Sequence, residues 1–356
     1  MSKPARPLKI WCNAQFFAAD TQLLVDGTRP HDLVFSASAS NLVLAAGQPD
    51  PLMAEADIAF GQPDVAQCLA LPGLRWVEVT SAGYTRYDTP EFQEAFRARG
   101  AIFSNVSQVF ADSCAQHVLA MMLALGRQLL PSYRDQLGDR GWHYAERRYA
   151  SRLLTGQTVV MLGFGAIGRR LAELLAPFGM TLIAVRRQTR SERGVRIVPE
   201  EHVSSALAAA DHVVNILPDN AGTRNYVNAR RIACCKPGAR FYNVGRGSTV
   251  DERALLEALR SGRIGEAYLD VFETEPLPET SPLWSHPKVI VTPHNAGLTE
   301  ESILSMVTAT ARQWIDVFDG KAPPRLVNPE AWPRYADRFA EILGFRPAAL
   351  GPAALG

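Results

Sequence analysis

Residues 158–185 leave this chain little choice of fold. Thr158-Val159-Val160-Met161-Leu162 is a run of apolar and β-branched residues that suits a strand buried on both faces. It runs directly into Gly163-Phe164-Gly165-Ala166-Ile167-Gly168, then a helical pattern to Ala176, Gly179 as a stop, and a second apolar run, Thr181–Val185. A GxGxxG hexapeptide alone is a weak signal. Between a strand and a helix it marks a βαβ unit whose helix N-terminus aims backbone N–H groups and the positive end of its dipole at a pyrophosphate. In that reading Gly163 makes the tight turn, Gly165 admits the pyrophosphate, Ala166 and Ile167 lie at the helix N-terminus, and Gly168 lets helix and strand pack closely. A dinucleotide site is expected.

The rest of the chain repeats the alternation. Ile10–Cys12, Ile58–Phe60, Trp76–Thr80 and Ile102–Phe103 predict buried parallel strands of a first α/β domain. Beyond the glycine unit, strands are expected at His212–Leu217, Arg240–Val244, Ala267–Val271 and Val289–Thr292. Asp251 is placed to cap a helix carrying Leu255, Leu256 and Leu259, which Gly262 ends. The pattern is that of an α/β protein with a doubly wound, mostly parallel sheet. Between the two blocks, Asp112 to Leu130 reads as one long helix, apolar around much of its circumference and therefore buried between domains or subunits. Its apolar surface exceeds what one face needs, which points to a homodimer. A helical run from Glu300 to Phe318 has room to cross back to the first domain, making that domain discontinuous in sequence. Pro-Ala-Ala-Leu-Gly, repeated at 347–351 and 352–356, reads as a C-terminal tail.

At 356 residues the chain has room for two domains. Its 37 Lys and Arg against 36 Asp and Glu leave a formal charge of +1, so nothing draws the whole chain to nucleic acid or an anionic membrane. No apolar stretch approaches the roughly 20 residues of a bilayer span, and Leu8-Lys9-Ile10-Trp11-Cys12 is too short and interrupted for a signal-peptide core. Cys12, Cys68, Cys114, Cys234 and Cys235 are odd in number and lack CxxC spacing, which fits reduced thiols in a cytoplasm. Lysine occurs only at positions 3, 9, 236, 288 and 321, so almost all positive charge is guanidinium, suited to anion recognition wherever arginines cluster.

Such a cluster follows the second strand of the glycine unit. NAD-preferring sites place an Asp or Glu there, about 20 residues after the glycines, to hold the ribose 2′-hydroxyl. Here Arg186 and Arg187 hold the place, followed by Arg190, Arg193 and Arg196, with Glu192 the one acid among them. Arg186 and Arg187 are expected to pair with a 2′-phosphate, and Arg193 and Arg196 to be solvated. NADP(H) is therefore expected in preference to NAD(H), since no acid is evident at that strand end.

Residues that can do chemistry sit just beyond the later strands, where open α/β sheets bind ligands. Three stretches stand out: Asn243-Val244-Gly245-Arg246-Gly247, Leu269-Asp270-Val271-Phe272-Glu273-Thr274-Glu275-Pro276, and Thr292-Pro293-His294-Asn295-Ala296-Gly297. Taken singly, Arg246, Glu275 and His294 are as readily a surface arginine, a loop acid and a core histidine. In this order, downstream of a nucleotide fingerprint, and with Val79-Thr80-Ser81-Ala82-Gly83-Tyr84 and Leu326-Val327-Asn328-Pro329, they give a chain that resembles the D-isomer-specific 2-hydroxyacid dehydrogenase family over nearly its whole length. The likeness is to its glyoxylate/hydroxypyruvate reductase-like, NADP-type members.

The resemblance implies a Rossmann-type nucleotide domain over 116–297, a flavodoxin-like substrate domain made of 1–115 and 298–332, and a tail over 333–356. It implies hydride transfer between NADP(H) and a 2-oxo or D-2-hydroxy acid. Arg246 then orients the substrate, Glu275 is the partner of the histidine, and His294 is the acid/base. Asp270 lies near the nicotinamide carboxamide, Pro218 against the cofactor, and the 79–84 loop on the substrate carboxylate. Glu273 sits at the wrong place in the pattern for the acid.

The chemistry asks for the same residue types. Reducing a 2-oxo acid requires a hydride donor, a proton donor for the developing alkoxide and a cation for the carboxylate. His294 can give a proton near neutral pH when a carboxylate such as Glu275 stabilises its imidazolium. Arg246 offers a planar fork, and the N–H groups of Ala82 and Gly83 can hold the carboxylate's other side. The sequence departs from the family pattern in places. Ala115-Gln116-His117, preceded by Cys114, stands where the family often has Ala-Glu-His, and Asp219 stands where an apolar residue is usual. Cys114 and His117 are too few for a metal site and read as core. A formate dehydrogenase is disfavoured because it pairs its histidine with Gln. A phosphite-oxidising relative stays open, as does a dinucleotide-sensing, corepressor-like binding protein; the absence of long polar tails favours an enzyme.

Overall fold

The structure is a computed structural model that describes residues 6–40, 47–186 and 191–297. These residues divide after Phe110 into two compact units. Arg187, Arg190, the expected helix from Glu300 to Phe318, the Leu326–Pro329 stretch and the tail lie outside the described residues.

The first unit is built on five parallel strands: β1 (Lys9–Ala14), β2 (Asp32–Ser40), β3 (Ile58–Gly61), β4 (Trp76–Val79) and β5 (Ile102–Asn105). Their order, β2-β1-β3-β4-β5, is the flavodoxin-like one, with the winding reversing between β1 and β3. Successive side chains of a strand face opposite ways, which explains the two cores. Ile10 and Cys12, Ile58 and Phe60, Trp76 and Ile102 pack on one face of the sheet, and Trp11, Ala59, Val77 and Val79 on the other. A parallel sheet covered on both faces accepts continuous apolar runs. β2 is a strand the apolar runs do not predict, because Ser36-Ala37-Ser38-Ala39 offers little to bury at a sheet edge.

The second unit carries seven parallel strands: β6 (Thr158–Leu162), β7 (Thr181–Val185), β8 (Arg196–Val198), β9 (His212–Asn215), β10 (Ala239–Asn243), β11 (Ile264–Leu269) and β12 (Val289–Val291). Their order is β12-β11-β10-β9-β6-β7-β8. The chain winds outward from β6 to β8, then resumes at β9 on the other side of β6. That reversal opens a crevice at the carboxyl ends of β6 and β9. Because all strands run the same way, the loops after β6, β9, β10, β11 and β12 gather along one sheet edge. Val160, Leu162, Ile183, Val213, Phe241 and Leu269 pack beneath it against Leu207, Leu255 and Leu259 of the covering helices. β8, three residues at the edge, was also not expected.

Helix ends follow local chemistry. Asp251 accepts from the Ala254 N–H at 2.9 Å and opens the helix Glu252–Arg260; Gly262 follows it with φ +76°. The expected single helix from Asp112 to Leu130 is instead two. Ala111–Gly126 ends where Gln128 takes φ 57° and turns its side-chain amide onto the Leu125 carbonyl at 3.1 Å, and Leu129–Leu137 starts anew. Burial of the first helix is one-sided: Cys114, Val118, Met122 and Leu125 are buried, Leu119, Met121 and Leu123 only partly. It packs along the helix Ala166–Leu175, where Arg170 pairs with Asp112 at 2.6 Å. No described helix is long and apolar enough to cross a membrane. Asp251→Ala removes one cap and is expected to cost about 1 kcal/mol, read as a lower urea midpoint at constant m-value.

Candidate active site

β6 runs directly into Gly163, whose φ of +91° is open to glycine at little cost. A Cβ there would also lie 3.1 Å from the Ile216 carbonyl oxygen, so the turn draws the loops after β6 and β9 together. Gly165 opens the helix Ala166–Leu175, and a Cβ on it would meet nothing within 4 Å: the face over the helix N-terminus is clear. The first N–H groups of an α-helix have no acceptor within it, so those of Ala166, Ile167 and Gly168, with the dipole, form an anion cradle. A Cβ on Gly168 would come 3.0 Å from the Phe164 ring and 3.5 Å from the Gly163 carbonyl oxygen, so its bare Cα lets the helix lie close to the turn that follows β6. These residues fit a dinucleotide pyrophosphate. Pro218, on the loop after β9, is exposed and its carbonyl accepts from Thr223 at 2.6 Å.

Arg186 stands at the end of β7, its N–H bonded to the Val198 carbonyl at 3.2 Å and its side chain 11% exposed. Arg187 lies outside the described residues. The sequence suggests no acid at this strand end, and the structure corrects that. The turn before β8 brings Glu192 back, and one of its carboxylate oxygens lies 3.1 Å from Arg169 Nη2 and 3.6 Å from Arg186 Nη1. Arg169, in the first turn of the nucleotide helix, was missed; its place directly after Gly168 is the signal that marks it.

Along the same edge, the loop after β10 carries Arg246. Asn215 donates to Asn243 Oδ1 at 2.9 Å and to Thr249 Oγ1 at 2.7 Å, all three buried, and Thr249 donates to the Arg246 carbonyl at 2.6 Å. This amide network, unremarked in the sequence, fixes the arginine's backbone. Gly247 is required by contact: a Cβ there would lie 1.8 Å from the Phe272 carbonyl carbon, in the loop that carries Glu275. Burial lowers the Arg246 pKa, while the nearby charges of Glu275 and Asp219 act in the opposite direction.

His294 and Glu275 meet at 2.7 Å, Nδ1 to Oε2. The other carboxylate oxygen accepts the Phe272 N–H at 2.9 Å. Burial by itself raises the Glu275 carboxyl, but the bonds from His294 and Phe272, with the charges of His294 and Arg246, outweigh it and hold the group below the usual carboxylate range. Glu273 points elsewhere, accepting the Glu252 N–H at 3.0 Å. His294 has φ 52°, a left-handed backbone that few residues with a Cβ adopt. Asp270 holds it there. Its carbonyl accepts the His294 N–H at 2.9 Å, and its carboxyl, 2% exposed, takes the Thr292 hydroxyl at 2.5 Å and the N–H groups of Asn295 and Ala296 at 3.0 Å each. Tyr268 reaches Thr292 from behind at 2.7 Å, and its ring stacks on His117. Burial pushes the Cys114 thiol up to about 12, so it stays protonated within the core.

In the first unit, the loop after β4 holds Ala82 and Gly83. Asn105 donates to the Ala82 carbonyl at 3.1 Å and Ser81 to the Gly83 carbonyl at 2.6 Å. In a planar trans peptide the N–H opposes the C=O, so the Gly83 N–H points away from Asn105.

A glycine turn at a sheet's switch point, with an arginine and a bonded histidine–carboxylate pair on the following loops, defines a nucleotide-dependent oxidoreductase fold. Residues 119–296 match the family model described as D-isomer specific 2-hydroxyacid dehydrogenase, NAD binding domain. Over 264 residues the chain is 33% identical to a glyoxylate/hydroxypyruvate reductase B of Citrobacter koseri, covering 73% of this chain and 80% of that one. Over 267 residues it is 33% identical to a glyoxylate reductase of Pyrococcus furiosus, covering 73% and 77%. Among solved structures it is similar to a D-isomer specific 2-hydroxyacid dehydrogenase from Xanthobacter autotrophicus Py2 in complex with NADPH and MES, at TM-score 0.73 and 28% identity, covering 93% and 99%. The chain belongs to the D-isomer-specific 2-hydroxyacid dehydrogenase family. It is an NAD(P)-dependent oxidoreductase.

Proposed function

We propose that the protein reduces a small 2-oxo acid to the D-2-hydroxy acid with NADPH, and that His294, Glu275 and Arg246 are its catalytic residues. The observation that carries this reading is the 2.7 Å bond from His294 Nδ1 to Glu275, on the same sheet edge as the glycine turn. Nδ1 is committed to the carboxylate, which leaves Nε2 to face the substrate oxygen. A nicotinamide bound there would supply the hydride for C2. As the C2 carbonyl electron pair moves onto oxygen, His294 delivers the Nε2 proton to it, and Glu275 stabilises the imidazolium beforehand. Arg246 holds the carboxylate and carbonyl oxygen in its fork, and we assign carboxylate contacts to the N–H groups of Ala82 and Gly83. Oxidation runs the same steps backward. Pro218 and Asp270 are assigned to the nicotinamide end, and Gly163 to Gly168 to the pyrophosphate. Arg186, with Arg187, is assigned to the 2′-phosphate. In support, the similar Xanthobacter enzyme is in complex with NADPH.

The cytoplasm is the proposed compartment, in keeping with five unpaired cysteines. The partner we propose is a second copy of the chain. The surface that supports it is the 129–153 segment, where Leu129, Leu137, Trp142, Tyr144 and Tyr149 are all exposed, Trp142 at 92%. A two-fold pair would bury that patch against itself.

Turnover with NADPH and glyoxylate, hydroxypyruvate or larger 2-oxo acids tests the reaction; no loss of nicotinamide absorbance with any of them overturns it. His294→Ala and Arg246→Ala are each expected to lower kcat by about 100-fold or more with NADPH affinity nearly intact. Glu275→Gln is milder and moves the pH at which reduction fails downward, because the imidazolium loses its counter-charge; an unchanged profile removes Glu275 from the mechanism. For the cofactor, kcat/KM with NADPH is expected to exceed that with NADH by about tenfold or more, one charge-assisted bond being worth roughly 1.5–3 kcal/mol, and Arg186→Asp is expected to reverse the ratio. Light scattering is expected to give a dimer mass at micromolar concentration, and Trp142→Glu a monomer.

A further inference from the structure

Glu192 is placed by backbone geometry. Its residue pairs with Val195 in an antiparallel bridge, and the Val195 N–H returns to the Glu192 carbonyl at 3.3 Å across a turn that includes Gly194 at φ +76°. β8 follows at once and is zipped to β7, whose next residue is Arg186. The turn therefore delivers the carboxylate to the strand end where the adenosine ribose of a dinucleotide lies in this fold. There one oxygen, Oε1, takes Arg169 Nε at 3.3 Å and Nη2 at 3.1 Å and faces Arg186 Nη1 at 3.6 Å. All three side chains are largely shielded, with 22%, 11% and 26% of Arg169, Arg186 and Glu192 exposed. Among the described residues, the Glu192 carboxylate offsets one of the two positive charges that Arg169 and Arg186 bring here.

We infer that Glu192 sets the cofactor ratio: its carboxylate holds the place of the 2′-phosphate between Arg169 and Arg186 and must leave before NADPH can bind there. This rests on the assignment of Arg186 to the 2′-phosphate. A 2′-hydroxyl carries no charge for the carboxylate to repel, so NADH needs no such displacement. A phosphate brought against a carboxylate in one guanidinium cradle is repelled. Apparent affinity falls by the fraction of molecules whose site is competent, so Glu192 narrows the advantage of NADPH over NADH without contributing to the chemistry.

The test is fluorescence titration of wild type, Glu192→Gln and Glu192→Ala with NADPH, NADH and adenosine 2′,5′-bisphosphate, at two salt concentrations. Both variants are expected to tighten NADPH and the bisphosphate by about tenfold, which corresponds to a competent fraction near one tenth in the wild type. NADH should change by less than about threefold. Salt should weaken NADPH binding more steeply in the variants, whose two arginines meet the phosphate unneutralised. NADPH affinity unchanged within about twofold overturns the inference, as does a loss of NADH affinity of about tenfold, which would make Glu192 a ribose ligand. If the wild type binds NADH more tightly while the variants still gain NADPH affinity, the proposed NADPH preference falls and the role of Glu192 stands. If the wild type prefers NADPH and the variants change nothing, the reverse holds.

Discussion

The carboxyl of Asp270 is buried at the end of β11, and a buried carboxyl persists only where donors converge on it. It has three: the Thr292 hydroxyl and the N–H groups of Asn295 and Ala296. Those bonds tie the loop after β12 to the loop after β11. His294 lies between the tied points, and its left-handed backbone, a cost of about 1–2 kcal/mol, persists because the bonds around it leave no relaxed alternative. Glu275 then needs only a short reach from the β11 loop to meet the imidazole.

Parallel strands make this economical. Five loops leave the same edge of one sheet, so a turn for phosphate, a cation and an acid/base pair come within one neighbourhood without long excursions of chain. Of the polar residues that brace them, Asn215, Asn243 and Thr292 sit at or just past strand ends, where the ladder stops supplying partners and side chains take over the hydrogen bonding, and Thr249 joins them from the helical turn after β10.

Much of this was legible in the sequence, for physical reasons. Buried parallel strands are nearly unbroken apolar runs, so β6 and β7 were readable to the residue and β9 to β12 to within a few. β2 was not, because its alternating serines and alanines sit at an edge where burial is incomplete. β8 is too short to carry a pattern. The break at Gln128 escaped because only φ distinguishes it, and the apolar period runs on through Leu129 and Leu130. Glu192 was visible as a residue but not as a neighbour of Arg169. Pairing across 23 positions depends on a turn whose strength lies in backbone bonds, and backbone bonds leave no mark on composition. His294, Glu275 and Arg246 were readable as a spaced set; the clamp on Asp270 was not.

The contact of Gly247 with the Phe272 peptide has a bearing on how such a site can be diversified. The loops bearing the guanidinium and the acid touch main chain to main chain, with no side chain between them. Their spacing is therefore set like the jaws of a fixed gauge, indifferent to what the surrounding residues become. Loops lining the pocket can be recomposed for larger or differently charged acids while cation and acid keep their separation. The same contact makes position 247 a place where even a methyl group would reset the gauge.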